Sequence, residues 1–193
     1  MARLRARLIG ERGYTLVEML TVCVIMGVVM AALTTLFVQG SNAELDMNRR
    51  FQAQLTARVA MDTLRREIHC ASTATPAGSS SAVTLTLPSY CKTGSGSITW
   101  CTRASSLANK YALYRVAGTS CTGGVKWADA LVATSSITTC GTPTALCVFN
   151  YTAQSATSLA KLHVALPVNV NPRKSVDTYD LEDDIVLRNS TRS

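Results

Sequence analysis

The longest apolar run in the chain, from Met19 to Val38, reads MLTVCVIMGVVMAALTTLFV and contains no charged residue. A helix rising about 1.5 Å per residue covers about 30 Å over such a run, the depth of a bilayer's hydrocarbon core. The run therefore predicts one membrane-crossing helix. A cleavable export signal is the competing reading, because Ser41-Asn42-Ala43 offers a small-x-small pattern, but the apolar part of a signal is normally shorter. Beyond the run, Met47, Phe51, Leu55 and Val59 recur every four residues, and Met61, Leu64 and Ile68 follow at three or four. That period belongs to a helix, and its apolar stripe is expected to pack on the sheet of its own domain. On the opposite surface Asp46 with Arg50, and Asp62 with Arg66, stand at i,i+4, where opposite charges support an exposed helical face.

Residues 71–81, ASTATPAGSSS, are rich in Ser, Thr, Gly and Pro, which predicts the end of the helix near Cys70 and a loop after it. The pattern then changes from helical to alternating. Val83, Leu85 and Leu87 alternate with threonines, and residues 97–102, 111–116, 148–151 and 162–170 are β-prone. Gly94-Ser95-Gly96 and Gly123-Gly124 read as turns, because glycine adopts positive φ without steric cost; neither has the strand-to-helix setting of a phosphate loop. With no internal repeat, the expected class is α+β: a long N-terminal helix whose outer half packs on an antiparallel β-sheet.

Composition changes the picture in three places. Hydrophobic residues make up 47% of the chain and charged ones 16%, which suits a folded protein with a membrane segment and argues against disorder. The net charge of +7 is uneven: Arg3, Arg5, Arg7 and Arg12 against Glu11 put +3 into the first thirteen residues, while Glu44 and Asp46 are the nearest charges after the apolar run. The N-terminus is thus expected to stay in the cytoplasm while the rest crosses outward. The remaining cations, among them Arg103, Lys110, Arg115, Lys126, Lys161, Arg173 and Lys174, are the candidates for contact with nucleic acid. They form no dense basic run and read as solvated surface.

Of seven cysteines, Cys23 lies in the apolar run and six lie beyond it: Cys70, Cys91, Cys101, Cys121, Cys140 and Cys147. An even number in an exported domain predicts three disulfides, which stabilise a small fold by restricting the unfolded chain. Spacing alone leaves the pairing open. Zinc is the rival use of these residues, but no C-x-x-C or Cys/His pair at ligand spacing is present. An enzyme would need a nucleophile or an acid/base set, yet His69 stands near the helix end, His163 is isolated in a strand pattern, and no G-x-S-x-G occurs. No catalytic residues are assigned.

The stretch Gly13-Tyr14-Thr15-Leu16-Val17-Glu18-Met19-Leu20, after a short basic leader and before the uncharged run, resembles the type IV prepilin cleavage and methylation site. The resemblance implies that a prepilin peptidase/N-methyltransferase cuts between Gly13 and Tyr14 on the cytoplasmic side and methylates the new N-terminus. Glu18 becomes the fifth residue of the mature chain. A carboxylate within an apolar helix is costly in lipid and usually marks a specific partner. The resemblance implies that in a filament Glu18 faces the Tyr14 amine of a neighbouring subunit, so that each charge offsets the other. A signal anchor in which Glu18 merely reaches the interface is the alternative. Tyr14 replaces the usual phenylalanine, and the proline common about twenty residues into mature pilin helices is absent; Gly27 or Gly40 is the candidate for local flexibility, or Gly27 for close helix packing.

The implied organisation is a leader over 1–13, a transmembrane and assembly segment over 14–38, an amphipathic helical segment over 39–70 and an exported, disulfide-bonded β domain over 71–193. The implied partners are the peptidase, other pilins or pseudopilins, an inner-membrane assembly platform, and the membrane before assembly. The mature chain then belongs in an extracellular or periplasmic filament. Residues 55–68, LTARVAMDTLRREI, with YALYRV at 111–116 and IVLRNS at 185–190, look like segments of W-type minor pilins and J-type minor pseudopilins. These and the six cysteines tilt the choice towards a minor, tip-located structural subunit over a major pilin; a DNA-binding tip subunit of a competence pilus and a type II secretion pseudopilin handling cargo are the alternatives. Finally, Asp177, Asp180, Glu182, Asp183 and Asp184 supply carboxylate oxygens suited to calcium, which some pseudopilins bind near this part of the chain. A turn with solvated charges is the plainer expectation for them, and no cofactor is otherwise implied.

Overall fold

The computed structural model describes residues 13–140, 144–171 and 177–190. The leader arginines, Arg173 and Lys174 lie outside the described residues. Helix α1 (Leu16–Cys70) is continuous through Gly27 and Gly40 and contributes to two compact units, Met1–Met47 and Asn48–Ser193.

In the first unit every described residue up to Gly40 is exposed. The helix there is long and apolar enough to cross a membrane, with a mean hydropathy of 2.5 over its best window. Thr21, Thr34 and Thr35 each donate their hydroxyl to a carbonyl three or four residues earlier, at 2.8–2.9 Å. These hydroxyls are satisfied within the helix, as a lipid environment requires.

Among the described residues the second unit is built on an antiparallel sheet of nine strands: β1 (Thr73–Thr75), β2 (Gly78–Ser80), β3 (Ala82–Leu87), β4 (Gly96–Ala104), β5 (Tyr111–Ala117), β6 (Val125–Leu131), β7 (Phe149–Thr152), β8 (Lys161–Val168) and β9 (Tyr179–Val186). Their order is β1-β3-β4-β5-β6-β8-β7-β2, and β9 pairs with β8. The two strands at the ends of that path, β1 and β2, are chain neighbours separated only by Pro76 and Ala77, so the sheet is curled. Its concave core holds Trp100, Leu113, Leu131, Phe149, Leu162, Leu166 and Ile185, all fully buried.

Helix residues Ala57, Ala60, Met61, Leu64 and Ile68 complete this core. Phe51, Leu55 and Val59 do not, being 57%, 37% and 55% exposed, contrary to the expectation of a single packed stripe. The reason is helical geometry. At about 100° per residue a four-residue repeat drifts by about 40° per step, and the two-residue step from Val59 to Met61 turns by about 200°. The packed face is led by two alanines, whose small side chains allow a close approach to the sheet.

A row of contacts fastens the same helix to β9 and to Asp177 just before it. Arg50 pairs with Asp177 at 2.9 Å, Arg58 Nη2 donates to the Tyr179 hydroxyl at 3.1 Å, and Arg65 pairs with Asp183 at 2.8 Å. His69 Nδ1 lies 2.9 Å from the Val186 carbonyl oxygen. Asp62, expected to meet Arg66, instead lies 3.5 Å from Arg65. At the helix end the Asn189 side-chain amide donates to the Cys70 carbonyl at 2.8 Å, satisfying one of the carbonyls that a helix terminus leaves unpaired.

The six cysteines beyond the apolar run pair as Cys70–Cys91, Cys101–Cys121 and Cys140–Cys147, and Cys23 is a free, exposed thiol. Other expectations are corrected. The loop over 71–81 contains the short strands β1 and β2, and β6 had no sequence counterpart. The acidic cluster forms a strand rather than a turn, and residues 185–190 are extended only to Val186 before turning. The glycine turns are observed: Gly94, Gly96, Gly123 and Gly124 all have positive φ, and a Cβ on Gly124 would lie 2.5 Å from the Arg115 carbonyl oxygen.

Candidate functional site

The residues of the N-terminal motif are open to an external partner. Gly13, Tyr14 and Thr15 precede the helix, and Tyr14 is 76% exposed. A Cβ on Gly13 would meet no described atom within 4 Å, as is also true at Gly27 and Gly40. Helix α1 begins at Leu16 with Thr15 as its N-cap, the Thr15 hydroxyl accepting the Glu18 backbone N–H at 3.2 Å. Thr15-Leu16-Val17-Glu18 has the T-x-x-E spacing of a capping box, a signal present in the sequence but absorbed there by the cleavage motif. The Glu18 carboxylate is exposed in the first turn, where the helix dipole favours a negative charge.

A second cluster, not anticipated from sequence, anchors the helix to the sheet of the second unit. Glu67 on α1 is fully buried. Its Oε2 accepts from Trp100 Nε1 at 2.6 Å, and its Oε1 accepts from Arg115 Nε at 2.8 Å and pairs with Arg115 Nη2 at 2.7 Å. Trp100 on β4 and Arg115 on β5 are direct cross-strand partners, so one carboxylate joins two adjacent strands to the helix. Arg115 Nη2 also donates to the Thr93 carbonyl at 3.0 Å. Trp127 stacks at a tilt on Trp100, with ring centroids 5.7 Å apart. A buried carboxylate with charge-assisted bonds of this kind is satisfied, and its chemistry is structural.

The cations named as nucleic-acid candidates are engaged internally where described. Arg103 lies 3.5 Å from the Tyr114 ring centroid and donates to the Gly123 carbonyl; Lys110 donates to the Val170 carbonyl. Arg115 holds Glu67, Lys126 holds Asp129 and Lys161 holds Asp184. The acidic residues of β9 are likewise dispersed rather than convergent. Asp180, Glu182 and Asp184 occupy one face in alternation, while Asp183 occupies the other and pairs with Arg65. Hydrogen bonds from His163 and Lys161 hold the Asp184 carboxyl below the ordinary carboxylate range. Among the described residues no group of three or more His, Cys, Asp or Glu side chains is placed to hold a metal ion. His163 thus has a partner that sequence did not reveal, and no hydroxyl or thiol hydrogen-bonds either histidine among the described residues.

Residues 10–34 match the family described as Prokaryotic N-terminal methylation motif. The match spans the exposed Gly13–Tyr14 bond, the Thr15 cap, Glu18 and most of the apolar run, and identifies the N-terminus as type IV prepilin-like. Comparison with curated proteins and with solved structures gives no match.

Proposed function

We propose that this type IV prepilin-like chain is a structural minor pilin or pseudopilin, processed between Gly13 and Tyr14 and built into a type IV pilus-like filament, with its place at the tip. The carrying observation is the coincidence of the methylation motif with an exposed Gly13–Tyr14 bond that precedes a helix long and apolar enough to cross a membrane. The reader that this motif implies is a prepilin peptidase/N-methyltransferase.

The remaining partners follow from the same reading: other pilins or pseudopilins, an inner-membrane assembly platform, and the cytoplasmic membrane before assembly, with the N-terminus inside. The three disulfides and the buried Glu67 anchor support a rigid exported unit suited to contact rather than turnover. No catalytic step and no cofactor is invoked. Mass spectrometry of the chain recovered from its host membrane tests the proposal. An N-methylated Tyr14 terminus is expected; an intact leader, or cleavage after Ala43, in cells with active prepilin peptidase overturns it.

A further inference from the structure

Strand β6 meets β8 only at its end, where Leu131 pairs with Val168. One residue earlier Ala130 takes a positive φ of 61°, and its carbonyl accepts the Asn169 N–H at 2.8 Å. Asn109, in the turn between β4 and β5, has a φ of 57°. These are the two non-glycine residues of positive φ among the described residues, and for alanine that region is sterically costly. Both belong to one cleft of about 590 Å³: Asn109 lines it, and so do Asn169, the partner of Ala130, and residues 132–135. Small-molecule sites span about 300–1,000 Å³, and backbone strain collects at such sites.

The polar groups of the cleft divide into a fixed frame and an unengaged rim. Asn169 is 2% exposed; its Nδ2 donates to the Thr178 hydroxyl at 3.0 Å and its Oδ1 accepts the Asn171 N–H at 2.7 Å. Thr178 thus accepts one bond and keeps its own proton to give. At the rim the Asn109 amide, the Ser135 hydroxyl and the Asp180 carboxylate make no side-chain hydrogen bond or ion pair among the described residues. Three donors therefore stand beside two acceptors, the Asp180 carboxylate and the Asn109 carbonyl, and no free cation lines the site.

We propose that this cleft binds a neutral pyranose sugar, a hexose or an N-acetylhexosamine. A ligand that donates to a carboxylate and accepts from an amide and hydroxyls around it is a polyol, whose every hydroxyl does both. An anion does not fit, because Asp180 repels it and Lys110, beside Asn109, gives its ammonium to the Val170 carbonyl. A metal ion does not fit a single carboxylate, since calcium takes six to eight oxygen ligands. A mainly apolar ligand does not fit either, because Val132 and Ala133 supply the only apolar side chains and Val132 is itself 6% exposed. An amine would pair with Asp180 but leave the amide and hydroxyls idle.

The test uses the detergent-purified full chain and saturation-transfer NMR with glucose, galactose, mannose, N-acetylglucosamine and N-acetylgalactosamine, and with choline as the cationic probe. Transfer to the ring protons of at least one sugar is expected, unchanged in high salt because the ligand carries no charge. In a Ser135→Ala, Asp180→Ala double variant its affinity should fall by at least about tenfold, two hydrogen bonds having been removed. Both positions are exposed, so the thermal midpoint should stay within a few degrees of wild type. Asp180→Asn keeps an acceptor and loses only the charge, and should retain most of the binding. Transfer to none of the sugars, or equal transfer in the double variant, overturns the proposal. So does a salt-sensitive signal from choline alone that Asp180→Asn abolishes, which would make the cleft an ammonium site.

Discussion

Trp100 and Arg115 face each other across β4 and β5, and both donate to the same buried carboxylate, that of Glu67 on α1. The helix is thus held to the sheet by a directional contact as well as by apolar packing. Removing the charged partner of a buried pair typically costs about 3–5 kcal/mol, and here each remaining group keeps one other bond, Glu67 to the Trp100 indole and Arg115 to the Thr93 carbonyl. Because Arg115 retains 22% side-chain exposure, water partly compensates it. Glu67→Ala is expected to lose about 3 kcal/mol in urea unfolding, and Arg115→Ala at least as much, since it leaves the carboxylate fully buried with only the indole N–H. Glu67→Gln, which keeps an acceptor for Trp100, should lose less than either.

The disulfides should differ in value according to the loops they close. Cys70 and Cys91 are 21 residues apart, and Cys140 and Cys147 are 7 apart. In the chain-entropy account, cross-links of these spans stabilise by about 3.4 and about 2.5 kcal/mol. Paired serine replacements should reproduce that order in denaturant midpoints. The Cys70 pair should show the larger loss, also because Cys70 ends the helix at the point where Asn189 caps it.

A pH dependence follows from Lys126 and Asp129, 2.6 Å apart. Partial burial pushes the Asp129 carboxyl up, but hydrogen bonds from Lys126, the Ala130 N–H and Ser105 outweigh it and hold the group below its ordinary value. Lys126 is raised, chiefly by its bond to Asp129. A depressed carboxylate contributes stability that is complete above its unfolded value of about 3.9 and is lost as pH falls through the folded value. The raised lysine contributes below about 10.4 and loses its contribution as pH rises through its folded value. Thermal midpoints of wild type and Asp129→Asn should therefore differ at neutral pH and converge in the acid range, once pH has fallen through the depressed folded value of Asp129.

Much of this fold is legible in the sequence where one physical demand acts alone. The uncharged run is apolar on every side, and Val83, Leu85 and Leu87 alternate because one face of β3 is buried. The signal fails where two demands overlap. In β9, Tyr179, Leu181 and Ile185 do alternate, but the carboxylates between them, and Asp183 in the inward row, hide a strand beneath an acidic cluster. Glu67 is concealed in the opposite way: it lies on the packed face among Leu64 and Ile68, where a charge looks out of place until Arg115 and Trp100 are brought over it. Their distance in the chain, 48 and 33 residues, is why local pattern could not find them. At the N-terminus the motif was readable, whereas the Thr15 cap inside it became visible only with the helix start at Leu16.

That cap gives Glu18 two separable duties, and a pair of substitutions tells them apart. As the third helical residue, Glu18 lends its backbone N–H to the Thr15 hydroxyl and its negative charge to the helix dipole. As a carboxylate at the edge of an apolar helix, it is the group proposed to meet a neighbour's Tyr14 amine. Thr15→Ala removes only the cap and should cost about 1 kcal/mol at the helix start, fraying the first turn while leaving the carboxylate in place. Glu18→Gln keeps the backbone bond, the volume and the helix propensity but removes the charge. If the charge serves assembly, Glu18→Gln should be processed at Gly13 yet enter filaments poorly, while Thr15→Ala should be incorporated at near wild-type levels. The measurement is the ratio of filament-borne to membrane-borne mature chain. Equal defects in the two variants would mean that the motif acts through the helix start alone, and the charge-pair role of Glu18 would be withdrawn.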